Sequence, residues 1–446
     1  MTRNVLFALA TALSTAASAA DLIDVFRQAQ SADATYASAR ATWAAAQERI
    51  PQGRAALLPL ASLTASAQYN DRSVRFRESP LPRTSNNFNS TGVLLSVTQP
   101  LYRRENTVIY EQALTQVEQA DAQLAAAAQD LILRVSQAYF DVLLAHDSVA
   151  FAEAQKVAIG QQLEQAKRNF EVGVATITDT HEAQARYDLT TSLEIAARND
   201  LELRRRALEQ IIGRAAPPIA PLGAALVLRE PQPPQMDTWV ALAQKSNLQV
   251  RVAFTSLTFA SQEIERNRAQ HLPTLDAFAT FNESGSGAQP GNLGTDSRGS
   301  VVGVQVALPL YQGGLTNSRV REAIANEDRA RKDLEGARRS AEFNARQSFL
   351  GITNGIAQVR ALEAALVSTQ SQLASTRLGQ EVGVRTQVDV LNAQQQLFSA
   401  RRDLAQSKYN YILSLLRLEA AIGELTENDL VAVNEWLDRA AAVTSR

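Results

Sequence analysis

The chain has 446 residues, no cysteine, and 44 basic against 46 acidic side chains, for a net charge of -2. That balance excludes a disulfide framework, a thiolate metal site, an acylated N-terminal cysteine and a basic field for nucleic acid. Aromatic residues make up only 6% of a chain rich in Ala, Gln and Leu, a composition that favours long helices over a large compact core.

The N-terminus carries Arg3, an apolar stretch from Val5 to Leu13, and the small-residue series Ser14 to Ala20. This layout predicts a secretory signal peptide cut near Ala19 or Ala20. The apolar stretch falls well short of the ~18 residues a spanning helix needs, and no later stretch is long and apolar enough for one. The exported chain is therefore expected to be periplasmic, secreted, or built into an outer membrane as strands.

From Asp21 onward the sequence is written twice. Phe170-Glu-Val-Gly-Val-Ala-Thr-Ile-Thr-Asp179 returns 210 residues later as Gln380-Glu-Val-Gly-Val-Arg-Thr-Gln-Val-Asp389. Val97 to Tyr102 matches Val306 to Tyr311, Leu58-Pro59 matches Leu272-Pro273, and Ile211-Ile-Gly213 matches Ala421-Ile-Gly423, with shifts of 209, 214 and 210. The variation falls mainly between Tyr69 and Gly92, as expected when loops absorb insertions. Six of the 14 prolines lie between Pro217 and Pro234 and mark a linker. The expected organisation is a signal peptide over 1–20 and a first repeat over 21–213, followed by the linker over 214–236, a second repeat over 237–423 and a C-terminal segment over 424–446.

Each repeat opens with a helix and then alternates. Leu63, Ala65, Ala67 and Tyr69 are apolar between Ser62, Thr64, Ser66 and Gln68, and Val93, Leu95 and Val97 are separated by Leu94 and Ser96. The second copy repeats this with Leu275, Ala277, Ala279 and Phe281, then Val302, Val304, Val306 and Leu308. Period two over about ten residues fits strands with lipid on one face and water on the other. The expected hairpins are 60–99 and 274–308, with polar tips from Asn70 to Asn89 and from Asn282 to Gly299. Soluble half-buried hairpins alternate in the same way. Four strands cannot close a barrel, and open edges are not tolerated in hydrocarbon, so membrane-spanning strands would require several copies of the chain.

Long helices follow, over 104–212 and 316–422. Val117, Leu124, Leu131 and Ala138 keep a seven-residue step, as do Val135, Val142 and Val149, and in the second copy Ile352, Val359, Leu366 and Leu373. Such a period predicts coiled-coil-like packing along the helix length. A helix from Arg104 to Asn169 would run on the order of 100 Å. By itself this pattern also fits an elongated spacer, or a periplasmic coiled-coil adaptor or scaffold without a pore, but neither accounts for the strands. Gly173 and Gly383, in the Val-Gly-Val turns with Val172 and Val382, are placed to end one long helix and start the next. His146, His181 and His271 are isolated in sequence, and no catalytic, metal or cofactor constellation is present.

The stretches Leu308-Pro-Leu-Tyr-Gln-Gly-Gly-Leu-Thr-Asn317, Glu381-Val-Gly-Val-Arg-Thr-Gln-Val-Asp-Val-Leu391, Phe170 to Asp179 and Gly423-Glu-Leu-Thr-Glu-Asn-Asp-Leu430 resemble the TolC family of outer-membrane channel-tunnels over essentially the whole mature chain. The resemblance implies an α+β membrane protein. It would be a homotrimer sharing one 12-stranded β-barrel in outer-membrane lipid, with four strands per protomer and a long periplasmic α-helical barrel. It implies a passive exit duct for type I protein secretion or drug efflux, not an enzyme. Its partners would be a periplasmic adaptor (membrane fusion) protein and an inner-membrane ABC or proton-driven transporter. The resemblance also places the two Val-Gly-Val turns at a periplasmic gate and adaptor-docking end. There Arg385 matches a basic gate residue, Asp179 and Thr178 its partners, and Asp389 an inward-pointing acid. Gln380 stands where close relatives carry a tyrosine, and Asn392 where they carry a second aspartate. The implied entrance is therefore less cation-selective and differently held.

Overall fold

The computed structural model describes residues 19–75, 77–78, 83–223, 226–288, 293–439, 441 and 443. The signal peptide expected over 1–20 lies outside these residues except for Ala19 and Ala20. In chain order the elements are α1 (Leu22–Ala32), α2 (Ala34–Gln47), α3 (Arg49–Ala55), β1 (Leu60–Val74), β2 (Thr84–Tyr102), α4 (Arg104–Glu171), α5 (Ile177–Ile212), α6 (Met236–Ser246), α7 (Leu248–Ala269), β3 (Thr274–Ser286), β4 (Thr295–Ala307), α8 (Leu315–Glu381), α9 (Gln387–Ile422) and α10 (Glu427–Asn434). The chain divides into two units, one of Met1–Arg40, Ala125–Leu248 and Arg338–Arg446, the other of Ala41–Leu124 and Gln249–Ala337.

The second unit holds one antiparallel sheet in the order β1-β2-β3-β4. Its register turns the sequence alternation into rows. Ala61, Val97, Ala279 and Val302 stand side by side on one face, and Ser62, Ser96, Thr280 and Val301 on the other. The apolar rows climb from Leu275 and Val306 to Leu63, Leu95 and Phe281. At ~3.4 Å per residue that is roughly 20 Å, close to the ~25 Å apolar band of an outer-membrane barrel. Val302, Val304 and Val306 are exposed within the single chain, as are Leu60 and Leu63. On the opposite face the Phe278 ring lies over Gly303, where a β-carbon would meet it at 2.9 Å. β1 and β4 each leave one edge unpaired among the described residues.

The strands run further than their apolar residues. Tyr69 to Val74 and Thr84 to Asn89 remain paired, as do Asn282 to Ser286 and Thr295 to Gly299, so the polar tips are shorter than expected. Ladder hydrogen bonds belong to the backbone and need no apolar side chain. Polar pairs also add cross-strand links: Asn70 Nδ2 to Ser90 at 2.9 Å, Ser284 to Ser297 at 2.8 Å, and Arg298 to Glu283 at 2.8 Å.

In the first unit α1 starts at a capping box. The Asp21 side chain accepts from the Asp24 amide, and the Asp24 side chain accepts in return. The buried Asp21 carboxylate also accepts from Asn434 Nδ2 at 2.8 Å and pairs with Arg439 at 2.6 Å. The proline-rich linker is not a free tether. Ile219 bridges both Ala20 and Val443, and Leu222 bridges Leu437, so the linker ties the start of the first repeat to the segment after α10. Heptad positions Leu131, Val135 and Val142 of α4, and Ile352, Val359 and Leu373 of α8, are buried. Tyr139 and Phe140 stack edge to face, and Tyr409 OH donates to Asp147 at 2.7 Å.

Near the end of α9, burial together with Asp429 and Glu424 pushes the Glu419 carboxyl up to about 7. A raised carboxyl pKa makes ionisation harder in the folded chain than in the unfolded one. Stability therefore falls as pH rises from the unfolded value through about 7, and stays reduced above it. Glu419→Gln is expected to raise thermal stability by on the order of 1–2 kcal/mol near pH 8 and by much less below pH ~5. Melting curves of the two proteins across that range check this, and an equal gain at both ends would contradict it.

Candidate functional site at the helical tips

The α4–α5 and α8–α9 turns are built alike. The first helix of each pair ends on a left-handed glycine, with φ +79° at both Gly173 and Gly383. The Val174 amide donates to Asn169 O at 2.9 Å and the Val384 amide to Gly379 O at 2.8 Å, satisfying end carbonyls as a glycine C-cap does. Nothing lies within 4 Å of where a β-carbon would be on either glycine, so φ alone demands them. Val172, Val174, Val382 and Val384 project from the turns and are exposed.

The second helix of each pair starts with a threonine cap. The Asp179 amide donates to Thr176 Oγ1 at 3.2 Å, while Thr176 N and Oγ1 donate to Asp179 Oδ2 at 2.9 and 2.8 Å. Thr386 and Asp389 repeat this at 3.2, 2.9 and 2.9 Å. Hydrogen bonds from Thr386 hold the Asp389 carboxyl below the usual carboxylate range, so it is ionised at neutral pH. The Thr-x-x-Asp spacing was available in the sequence as a capping box, and it explains both aspartates as helix-start residues before any pore is considered.

Within one chain the residues assigned to the gate have the following surroundings. Asp179 is engaged by Thr176. Thr178 is exposed. The Arg385 side chain lies against Gly379, and its positive charge adds to the Thr386 hydrogen bonds in holding the Asp389 carboxyl low. Gln380 donates to Gln387, which in turn donates to Gln162 Oε1 at 3.0 Å. Asn392 Oδ1 accepts from Arg186 Nη2 at 3.0 Å, and Gln395 Oε1 accepts from Arg186 Nη1 at 2.8 Å.

Arg186, Gln162, Gln387 and Gln395 thus join one hairpin to the other, and no sequence signal marked them. The Arg186 partners lie 206 and 209 residues away in the chain. Their meeting depends on how the hairpins pack.

Among the described residues no group of three or more His, Cys, Asp or Glu stands close enough to hold a metal ion. His181 and His271 are exposed and His146 is partly so. No described helix is long and apolar enough to cross a membrane.

A profile of the outer membrane efflux protein family matches residues 25–214 and 239–424, one match for each half of the internal repeat. The chain is 37% identical over 427 residues to Outer membrane protein TolC of Vibrio cholerae serotype O1, covering 95% of each chain. It is 30% identical over 444 residues to Proteases secretion protein PrtF of Dickeya chrysanthemi, covering 96% of this chain and 93% of that one. The fold matches the crystal structure of the outer membrane protein VceC from Vibrio cholerae with a TM-score of 0.76 at 18% identity, over 90% of this chain and 96% of that one. The resemblance drawn from the turn and junction motifs is borne out.

Proposed function

Because the chain belongs to the outer membrane efflux protein family, we propose that three copies assemble into one exit duct, with each contributing its four strands to a 12-stranded barrel. The family and fold are those of outer-membrane channels and not of enzymes. The sheet carries the reading. It has a continuous apolar face, a mainly polar opposite face and two unpaired edges, and in hydrocarbon only closure with further copies satisfies those edges. A coiled-coil adaptor would have no use for such a sheet.

The helical tips form the periplasmic entrance. Exposed Val172, Val174, Val382 and Val384 present an apolar docking surface to a periplasmic adaptor protein, which connects the duct to an inner-membrane ABC or proton-driven transporter. The transporter supplies the energy and the duct is passive. Proteins, small toxic molecules or both leave through it. Arg385 and Thr178, which make no ion pair or cap among the described residues, are available to a neighbouring copy, and Asp389 contributes three symmetry-related carboxylates to the pore.

Single-channel conductance in planar bilayers tests this. Asp389→Asn keeps a side-chain oxygen for the Thr386 cap and removes only the charge. Stable pores are expected, with cation selectivity lower in the variant than in the natural protein. Failure of the well-folded protein to form pores would overturn the duct. Unchanged selectivity would remove Asp389 from the pore.

A further inference from the structure

We propose that the cavity enclosed by α4, α5, the proline-rich linker and Val443 binds a small anionic amphiphile, an apolar body with one carboxylate head, whose charge is received by Arg205 and His146. The site lies wholly within the first unit, apart from the helical tips and the sheet, and it adds a ligand to a chain otherwise read as a passive duct.

The cavity has a volume of about 300 Å³, at the lower end of the range of small-molecule sites, and would hold on the order of ten liquid waters. Its walls are apolar and come from four segments. Val142 projects from α4 and Leu208 from α5, while Pro218 and Ile219 close it from the linker and Val443 from the C-terminal segment. Val142, Leu208 and Ile219 are 4%, 0% and 2% exposed, so packing fixes these walls in place. The frame around them is tied as well. Lys156 Nζ on Glu194 at 2.7 Å and Arg204 on Asp141 at 3.3 Å join α4 to α5, and the Val443 amide on Ile219 O at 3.0 Å joins the C-terminal segment to the linker. Water gains little against walls that offer it few bonds, whereas an apolar ligand body recovers dispersion contacts there and leaves water.

The polar groups select the head. Among the described residues that line the cavity, the side chains with N–H donors are Arg205 of α5 and His146 of α4, and none of the others carries a negative charge or a hydroxyl. The prolines of the linker wall have no N–H, and the Ala216 amide is already taken by Glu209 Oε1 at 3.1 Å. Arg205 is weakly neutralised. Its described ion pair is with Glu202, on the same helix at 3.9 Å, and that carboxylate is drawn to Arg206 at 2.6 Å. His146 Nδ1 stands 3.9 Å from Asp147, which Tyr409 OH engages at 2.7 Å. A separation of 3.9 Å is too long for a hydrogen bond, so the fork of the Arg205 guanidinium is available to take a carboxylate through two nitrogens. A cationic ligand would meet like charge and no acceptor side chain, and a neutral one would leave the guanidinium without a counter-charge.

The experiment is calorimetric titration of the full protein in lipid nanodiscs with decanoate below its micellar concentration, with empty discs as the blank. Decanol and decyltrimethylammonium, which share the chain length but carry neutral and positive heads, are the comparisons. Decanoate is expected to bind saturably and more tightly than either of them by roughly tenfold or more, the effect of hydrogen bonds to a charged group. Arg205→Gln should lower decanoate affinity by a similar factor and leave decanol unchanged, and His146→Gln should lower decanoate affinity less. Decanoate should also raise the melting temperature of the natural protein and not that of Arg205→Gln. Should Arg205→Gln fail to fold, the head-group series on the natural protein and the His146→Gln titration give the same answer. Equal decanoate affinity in the natural protein and folded Arg205→Gln would overturn the site. So would heats no different from those of empty discs, or equal affinity for all three heads. None of these measurements needs an open pore, so loss of the site would leave the duct intact, and failure to form pores would leave the site.

Discussion

Val302→Arg is expected to abolish assembly into the outer membrane. Val302 stands in the row with Ala61, Val97 and Ala279, with Val304 on one side along the strand and the row of Leu63, Leu95 and Phe281 on the other, so it lies inside the apolar band. It is 83% exposed in the single chain, which leaves lipid as its neighbour in a barrel. An arginine facing lipid near the bilayer midplane destabilises a barrel by ~2–4 kcal/mol, and three copies multiply this to roughly 6–12 kcal/mol per trimer. That rivals the entire stability of a typical domain, about 5–15 kcal/mol. Thr280→Arg is the control. Thr280 faces the opposite side, across from Val301 and Ser96, where water can solvate the new charge. The measurement is the yield of heat-resistant oligomer in outer-membrane fractions. Loss is expected for Val302→Arg and near-natural yield for Thr280→Arg. The reverse pattern would mean that the apolar face looks into the lumen, and the barrel assignment would fall.

Gly423→Ala is expected to destabilise the protein by about 3 kcal/mol or more, while the matching change in the first repeat, Gly213→Ala, costs only about 1–2 kcal/mol. Both glycines end a 36-residue helix in the left-handed region, at φ +82° and +69°. Adding a β-carbon to that backbone strains either one similarly. Their surroundings separate them. At Gly213 the new carbon would meet the Ala32 side chain at 3.2 Å, a tight contact with a methyl group. At Gly423 it would overlap the backbone carbonyl oxygen of Ser246 and press on Asn247 at 3.4 Å, and the α6–α7 turn there is held to α9 by Asn247 Nδ2 on Ala421 O at 2.9 Å. A backbone carbonyl cannot rotate aside as a side chain can, so the turn or the cap must break. Thermal unfolding of the two variants side by side checks the ordering. Equal losses would show that the turn accommodates the methyl group.

The comparison of Gly213 with Gly423 also shows what an internal repeat does and does not duplicate. Backbone conformation is copied wherever the local sequence is copied. The Val-Gly-Val turns share φ +79°, and the two Thr-x-x-Asp caps agree within 0.1 Å in their hydrogen bonds. Such features are set by a few adjacent residues, and the sequence alone made them legible. So were the four strands, the long helices and the need for further copies to close the sheet, because period two, period seven and a glycine at a helix end are local patterns with direct structural meaning.

Other features depended on residues far apart in the chain. The strands outran their apolar positions because hydrogen bonding of the backbone, not hydrophobicity, sets where a ladder stops. The linker was marked by its prolines, but its pairing with Ala20, Leu437 and Val443 left no trace in its own composition. At the tips the sequence marked Gln380 and Asn392 without revealing their bonds. Composition and periodicity determined that this chain is a twice-repeated unit of paired strands and long helices, since each of those forms is favoured by its own short stretch of residues. Only the tertiary structure decided which side chains meet across the hairpins, with Arg186 on Asn392 and Gln395, because a bond between residues 206 or 209 positions apart exists only once packing has brought them together.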